Sequence, residues 1–391
     1  MQTGAMASLF LISFLLHALV GWRVVHDVMA AFPTAGYGLW TGLLFSALVV
    51  PMGLFAKRFT KPPLASVLTW LGLLCMGLFS SLFVLTVARE ALLLAAVALQ
   101  WIWPHAISGK ALAQDSAVAV PVLALLATVL GFWNARRTAT VVRVDVPIAN
   151  LVEELQGFTV VQISDIHVGP TIKARYLQRI VDRVNSLDAH MVAITGDLVD
   201  GSVQELAHHV APLVHLKSTH GTFFVTGNHE YYSGAHSWID MLRGLGITVL
   251  INEHVVLHHH SDSQCPERAR VVVAGVSDYT AHQFDENHRS DPHKAMRDAP
   301  DTALFRILLA HQPRSATAAA DAGFDLQLSG HTHGGQFWPW NHFVKFQQPF
   351  TAGLHKLKNL WVYTSRGTGY WGPPKRFGAP SEITQLRLVR A

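Results

Sequence analysis

Two short segments place chemically active side chains at alternate positions: Asp165-Ile166-His167 and His331-Thr332-His333. On an extended backbone alternate side chains share a face, so both members of each pair can reach a common metal centre. Asp197 follows Gly196, Asn228 follows Gly227, and His311 stands alone after an apolar run. A lone Asp after Gly is usually a turn, and a lone His is usually a surface or satisfied core residue. Asp and Asn oxygens combined with neutral imidazoles are a different matter: they form a mixed ligand set suited to Mn²⁺, Fe or Zn²⁺ rather than to Ca²⁺ or thiolate chemistry. A structural zinc site needs about four ligands. Asp165, His167, Asp197, Asn228, His311, His331 and His333 make seven, so two divalent ions are the economical count, with Mn²⁺ the leading candidate. Two ions about 3.5 to 4 Å apart can bridge a hydroxide and polarise a phosphoryl group. Gly196, Gly227, Gly330, Gly334 and Gly335 beside the ligands allow tight turns and close approach of a substrate.

Such residues must be delivered by rigid elements. After Arg143 short β-branched runs alternate with amphipathic stretches. The runs predict strands at Phe158 to Ser164, Met191 to Thr195, Thr222 to Thr226, Arg270 to Val276, Arg306 to Ala310 and Asp325 to Ser329, several apolar throughout and so buried on both faces. The amphipathic stretches predict helices at Ala174 to Asn185, Val203 to Leu216 and Ser237 to Leu245. This is an α/β layout, in which ligands gather at the carboxyl ends of strands. Five predicted strands run directly into the seven candidate ligands.

The rest of the chain is of another kind. Of 391 residues 50% are apolar and 14% charged, and residues 1 to 134 hold only Arg23, Lys57, Arg58, Lys61, Arg89 and Lys110 against Asp27, Glu90 and Asp115. Uncharged stretches at Ala5 to Trp22, Ala35 to Ala56, Leu64 to Ala88 and Ala117 to Trp133 each fall within the roughly 17 to 25 residues that can cross a bilayer. Ala91 to Trp103 reads as an interfacial or helix-extending segment. With four spans, Lys57, Arg58, Lys61, Arg136, Arg137 and Arg143 lie on one side and Arg23, Arg89 and Lys110 on the other, a bias that puts the C-terminal domain in the cytoplasm of an inner-membrane, multi-pass protein. The net charge of +4 comes without a dense basic run, so no nucleic-acid partner is expected. No obligate protein partner is evident either. Cys75 and Cys265 sit in an apolar stretch and a polar linker and offer neither a disulfide framework nor a zinc site. The domains expected are a transmembrane region at 1–134, a linker at 135–150 and a catalytic domain at 151–391.

Taken in order, D-x-H, G-D-x-x-D, G-N-H-E, a lone H and G-H-T-H resemble the motifs of the calcineurin-like metallophosphoesterase family, over roughly residues 158 to 390; the GHTHGGQ run at Gly330 to Gln336 is the most diagnostic. The resemblance implies a four-layer αββα sandwich carried behind the transmembrane helices, and a dinuclear site. By motif, Asp165, His167 and His333 would hold one metal, Asp197 would bridge, and Asn228, His311 and His331 would hold the other. His229 is not a ligand in the family and would stabilise the transition state or protonate the leaving oxygen. Asp200 would support a ligand or cap a helix. The finer likeness is to membrane-linked bacterial members, some of which cleave the pyrophosphate of UDP-2,3-diacylglucosamine in lipid metabolism. It implies a phosphodiesterase or pyrophosphatase acting on a lipid-linked substrate at the bilayer; phosphomonoesterase and protein phosphatase activities, and a non-catalytic membrane sensor, stay open. Enzymes best known for that step carry Arg where this chain has His229, so the analogy extends only to the divergent branch. Arg366 and Arg376, with Lys375, would either grip a substrate phosphate or form a solvated face. His258-His259-His260 is expected as an exposed loop rather than a third metal site. Phe337-Trp338-Pro339-Trp340 follows the last ligand loop and would either present an aromatic patch to the membrane interface or pack that loop against the sheet.

Overall fold

The computed structural model describes residues 2–61, 63–104, 108–259, 270–300 and 303–391. They form two compact units: Met1–Trp133 with Gly372–Phe377, and Asn134–Trp371 with Gly378–Ala391.

The first unit is helical. α1 (Gln2–Val20) passes through a π-helical turn, Gly21–Val25, into α2 (His26–Ala31); α3 (Pro33–Leu54), α4 (Ala56–Phe59), α5 (Leu64–Ile102) and α6 (Gly109–Arg136) follow. Met6–Ala31, Pro33–Leu54, Leu64–Ile102 and Gly109–Arg136 are long and apolar enough to cross a membrane. Most of the Ala91 to Trp103 run simply continues α5. Small residues set the helix spacing, as expected where lipid supplies no hydrophobic drive between helices. A Cβ on Gly53 would lie 2.8 Å from the Gly72 Cα. Four of the charges are gathered together: buried Arg89 donates to Asp27, to Glu90 and to the Arg23 carbonyl, and Arg23 donates to Glu90.

The second unit holds β1 (Thr140–Ile148), β2 (Thr159–Ile163), α7 (Ala174–Asn185), β3 (Met191–Ile194), α8 (Val203–Val210), β4 (Thr222–Phe224), α9 (Asn228–Ser233), α10 (Ala235–Gly244), β5 (Thr248–Val249) and β6 (Glu253–His258). It continues through β7 (Arg270–Gly275), α11 (Pro292–Ala295), β8 (Phe305–Leu309), α12 (Ala316–Asp321), β9 (Leu326–Ser329), α13 (Asn341–Val344), β10 (Gly353–Leu357), β11 (Leu360–Thr364) and β12 (Glu382–Arg390). Two six-stranded mixed sheets result, ordered β1-β12-β2-β3-β4-β5 and β10-β11-β9-β8-β7-β6. The period-2 alternation of each strand sorts its side chains between layers. Val161, Ile163, Val192, Ile194 and Phe224 pack with Leu177, Ile180 and Trp238 of the helices. Their neighbours Val160, Met191, Ala193 and Phe223 face Val271, Val273, Ile307 and Leu328 of the other sheet. The far side of that second sheet, through Ala274, Leu308 and Val362, covers Ala316 and Ala319 of α12. Helices, sheet, sheet and helices therefore stack in the order expected.

One boundary is corrected. Residues 135–150 are not a linker: β1 pairs in parallel with β12 from Thr140 opposite Glu382 to Ile148 opposite Arg390. Its alternation is blurred because the burial pattern of β1 is mostly partial, with only Val146 fully enclosed. The His258 to His260 expectation also changes. His258 is exposed at the end of β6, but His259 is only 5% exposed, and His260, like Cys265, lies outside the described residues.

Candidate metal centre

Every predicted ligand emerges from the carboxyl end of a strand: Asp165 and His167 after β2, Asp197 after β3, Asn228 after β4, His311 after β8, and His331 and His333 after β9. The loops fold back on one another through their backbones. The Asp165 N–H donates to Gly196 O at 3.0 Å, and the His167 N–H to Asp197 O at 3.1 Å. Five of the seven residues take left-handed backbone angles, with φ of 53° at Asp165, 55° at His167, 52° at Asp197, 70° at His331 and 52° at His333. Non-glycine residues rarely adopt this region, and clusters of such strain mark functional sites. Gly227 and Gly330 make the approach possible: a Cβ there would lie 2.2 Å from Asp197 Oδ1 and 2.2 Å from Asp165 Oδ2, respectively.

The side chains converge in two groups, Asp165, His167 and His333, and Asp197, His311 and His331, with the ligand atoms of each within 4.8 Å of one another. In the first, His167 Nε2 and His333 Nε2 are 3.0 Å apart and His333 Nε2 is 3.5 Å from Asp165 Oδ1. In the second, His311 Nε2 lies 3.2 Å from both Asp197 Oδ2 and His331 Nδ1. Asp197 Oδ2 is also 3.9 Å from His167 Nε2, so this carboxylate stands between the two groups. Asn228 is buried, and its Oδ1 has no hydrogen-bond partner. An enclosed carbonyl oxygen without a donor is costly and fits a cation ligand. The residues present therefore fit two divalent ions by donor chemistry, by convergence and by this orphaned oxygen.

Supporting contacts orient the rings. His311 Nδ1 is bound to the Thr195 carbonyl at 2.7 Å, which turns Nε2 inward. Asp200, left open between support and helix capping, is the former: its Oδ1 is 3.0 Å from His167 Nδ1 and 2.6 Å from His229 Nδ1. Metal-binding imidazoles commonly have such carboxylate partners. His229 Nε2 is 3.9 Å from Asp197 Oδ2, at the margin of the cluster.

Sequence reasoning passed over Glu230, whose signal was its place three residues beyond Gly227 at a helix start, where a carboxylate reaches back to the cap. It is fully buried and accepts backbone N–H groups from Gly227, Asp197, Leu198 and Val199 at 2.7 to 3.3 Å, pinning the β3 and β4 loops together.

Charge is tightly coupled here. Burial pushes Asp197 up, but His311, His229 and His167 outweigh it and hold the carboxyl well below its ordinary value. Burial, with Asp197 beside it, raises Asp165. His229 is pushed up to about 9, since the bond to Asp200 and the charge of Asp197 overcome desolvation. His331 goes the other way, to about 3, through burial and the neighbouring His311.

The phosphate-grip expectations divide. The Arg366 Nε donates to Glu382 Oε2 at 2.6 Å, and its side chain packs under Gly334 of the ligand loop with about a third of its surface exposed. Arg376 is fully buried in the helical unit, where its N–H donates to the Gly131 carbonyl, and neighbouring Lys375 donates to the Gly77 carbonyl. An enclosed guanidinium offers nothing to a diffusing phosphate, so Arg376 is a packing residue of the helical unit rather than a phosphate grip.

A family model described as "Calcineurin-like phosphoesterase" matches residues 158–335, which include all seven candidate ligands. A "Transmembrane protein with metallophosphoesterase domain" of Danio rerio is 38% identical over 71% of this chain and 63% of its own length. An "Uncharacterized metallophosphoesterase" of Helicobacter pylori is 38% identical over 66% of each chain, and one of Aquifex aeolicus is 30% identical over 59% of this chain and 84% of its own. The chain thus spans a little under two thirds of the Danio relative. A Thermus thermophilus 5'-nucleotidase precursor structure is similar at 15% identity and a TM-score of 0.38, over 60% of this chain and 54% of that one, too distant a likeness to bear on function. On the match across the ligand loops and the coverage of the Aquifex relative, the chain belongs to the calcineurin-like phosphoesterase family.

Proposed function

We propose that the chain is a membrane-anchored metal-dependent hydrolase that cleaves a phosphodiester or pyrophosphate bond. The observation that carries this reading is the buried, partnerless Asn228 Oδ1 in a site where Asp165, His167 and His333 converge on one side of Asp197 and His311 and His331 on the other. Asp165, His167 and His333 would hold one ion, Asn228, His311 and His331 the other, and Asp197 both; Mn²⁺ leads, with Fe or Zn²⁺ the alternatives. When bound, the ions supply Lewis acidity and a low pKa for a coordinated water.

The chain's own groups do the rest. Asp200 holds His229 through Nδ1 at 2.6 Å, which leaves Nε2 to carry the proton offered to the leaving oxygen. Arg366, anchored by Glu382 beside Gly334, is assigned to a non-reacting phosphate oxygen. With a chromogenic phosphodiester and added Mn²⁺, Asp197→Asn and His229→Ala should each lower kcat/KM by about 10²-fold or more, the usual scale for losing a general acid. Losses under about tenfold in both would overturn the assignment.

The substrate we infer is a lipid-linked phosphate or pyrophosphate in the membrane surface, of which UDP-2,3-diacylglucosamine is one representative; the catalytic unit then faces the cytoplasm of an inner membrane. Supporting this are the membrane-length helices and an aromatic run after the ligand loop: Trp338, Trp340, Phe343 and Phe346 are 48%, 40%, 55% and 78% exposed. Exposed Trp and Phe in such density suit a membrane interface. In liposomes carrying a lipid-linked pyrophosphate, the Trp338→Ala/Trp340→Ala pair should lose activity severalfold while a soluble diester is cleaved at the wild-type rate. Equal loss on both substrates would assign the tryptophans to folding.

A further inference from the structure

Imidazole and carboxylate groups also converge away from the strand ends. His236 lies in the first turn of α10, and Asp285 and His288 bracket a 3₁₀ turn, Glu286–His288, that follows β7. The ligand atoms of all three fall within 4.8 Å of one another. His236 Nε2 is 3.1 Å from Asp285 Oδ2, and the His236 and His288 rings are 4.9 Å apart at 56°.

A surface ion pair would need only His236 and Asp285. Here a second imidazole is added, and its orientation and that of the carboxylate are set from behind. Asp285 Oδ1 accepts the Asn287 N–H at 2.9 Å, which commits one oxygen to the turn and leaves Oδ2 toward His236. His288 Nδ1 is tied to Tyr231 Oη at 2.8 Å, which directs Nε2 away from Tyr231. Fixing one ring nitrogen so that the other is presented is how proteins prepare imidazoles for metals.

We propose that His236, Asp285 and His288 form a third divalent-cation site, of Zn²⁺ or Co²⁺ class, completed by water. Two imidazoles and one carboxylate match the donor set of open zinc sites, whose bonds of about 2.0 to 2.2 Å place neighbouring ligand atoms about 3.3 Å apart. The His236 and Asp285 pair is close to that separation at 3.1 Å, and the His236 side chain is 70% exposed, which leaves the completing positions open to water. Burial lowers the proton affinity of His288 against the pull of Asp285, which favours the neutral ring a metal needs.

The ion would staple the turn to α10. Phe284, next to Asp285, lies 5.5 Å from the ring of Tyr232, which in turn lies 5.3 Å from His229. Occupancy would therefore hold an aromatic wall against the proposed general acid. The inference does not depend on the dinuclear assignment, because none of its ligands belongs to that site.

The test uses full-length protein in nanodiscs, stripped with chelator and titrated with Zn²⁺ and with Co²⁺. Metal per chain is counted by mass spectrometry, and the visible cobalt band reports coordination. Wild type should bind one more ion per chain than His236→Ala, with its affinity for that ion at least tenfold greater for Zn²⁺ than for Mn²⁺. Asp197→Asn should keep this extra ion while losing occupancy at the strand ends. His236 is exposed, so its substitution leaves the fold intact, and His288→Ala supplies a second reading. If His236→Ala and His288→Ala each bind as much metal as wild type, the cluster is a plain ion pair and the proposal falls.

Discussion

The second unit carries histidines at both ends of its strands, and the two ends behave as opposites. At the carboxyl ends His167, His311, His331 and His333 aim ring nitrogens at each other and at carboxylates, with His167 Nε2 and His333 Nε2 3.0 Å apart. At the amino ends of β2, β3 and β4, where the antiparallel β6 finishes, His190, His220 and His259 surround Phe158 with their ring faces and edges, at centroid distances of 5.2, 6.1 and 5.0 Å. There the His190 Nδ1 accepts the Thr159 N–H at 2.9 Å, a structural bond. Imidazole is half aromatic surface and half ligand, and its neighbours decide which half is used. Carboxylates, left-handed loops and an orphaned amide oxygen make the ligand end; an apolar ring makes the other.

The comparison is tested most severely by substitutions at both ends. His333→Ala should remove at least one ion's worth of occupancy and about 10² or more of kcat/KM, whereas His220→Phe should leave metal content unchanged and activity within about threefold. Matching losses at the two ends would mean that the amino-end histidines serve the site. Asp200→Asn should fall between them, weakening metal binding by roughly 10 to 100-fold, as loss of a carboxylate behind a ligand imidazole typically does; isothermal titration with Mn²⁺ would read it. A smaller effect still should appear in the pH dependence of the chelated protein. His229 is raised from its ordinary 6.5 to about 9, so its contribution to folding is complete below about pH 6.5 and is lost as pH rises through about 9. Thermal unfolding of the metal-stripped unit should therefore shift downward between pH 6.5 and 9, and metal loading, which needs deprotonated ligands, should reverse the slope. The same downward slope in metal-stripped His229→Gln would show that His311, also held above its ordinary value beside Asp197, is the group responsible.

The ligand end was legible because it is punctuated. Apolar runs that stop at Asp, Gly-Asp, Gly-Asn-His or Gly-His-Thr-His announce both strand and loop, and β2, β3, β4, β8 and β9 lie within a residue or two of where those runs predict. β1 and β12 were missed for a physical reason: their pairing joins residues about 240 apart, and β1 has no clean alternation because its faces are only partly covered. Glu230 and Asp200 were underweighted because what makes them matter, four backbone N–H groups converging on one and two imidazoles on the other, exists only after distant loops meet. His259 was misjudged since a run of three histidines reads as polar, while one of them turns inward onto Phe158.

That inward turn yields the smallest effect and the sharpest test of what the amino-end rings are for. If His259 serves as an aromatic plug, its 5% exposure and its edge-on approach to Phe158 at an interplanar angle of 89° carry its value, and the polar atoms are incidental. His259→Phe then keeps the ring, gains apolar burial and forfeits the contact between His259 Nδ1 and His220 Nε2 at 3.2 Å. A single neutral hydrogen bond is worth about 1 kcal/mol, and an aromatic pair about the same, so the two changes nearly cancel. Stability should move by less than about 1 kcal/mol, and metal content not at all. His259→Ala opens a cavity instead, and loss of a buried aromatic ring costs about 3 kcal/mol or more. Chemical denaturation of the two variants beside wild type separates the cases: if Phe destabilises as much as Ala, the ring nitrogens matter more than the ring, and the amino end is a polar network after all.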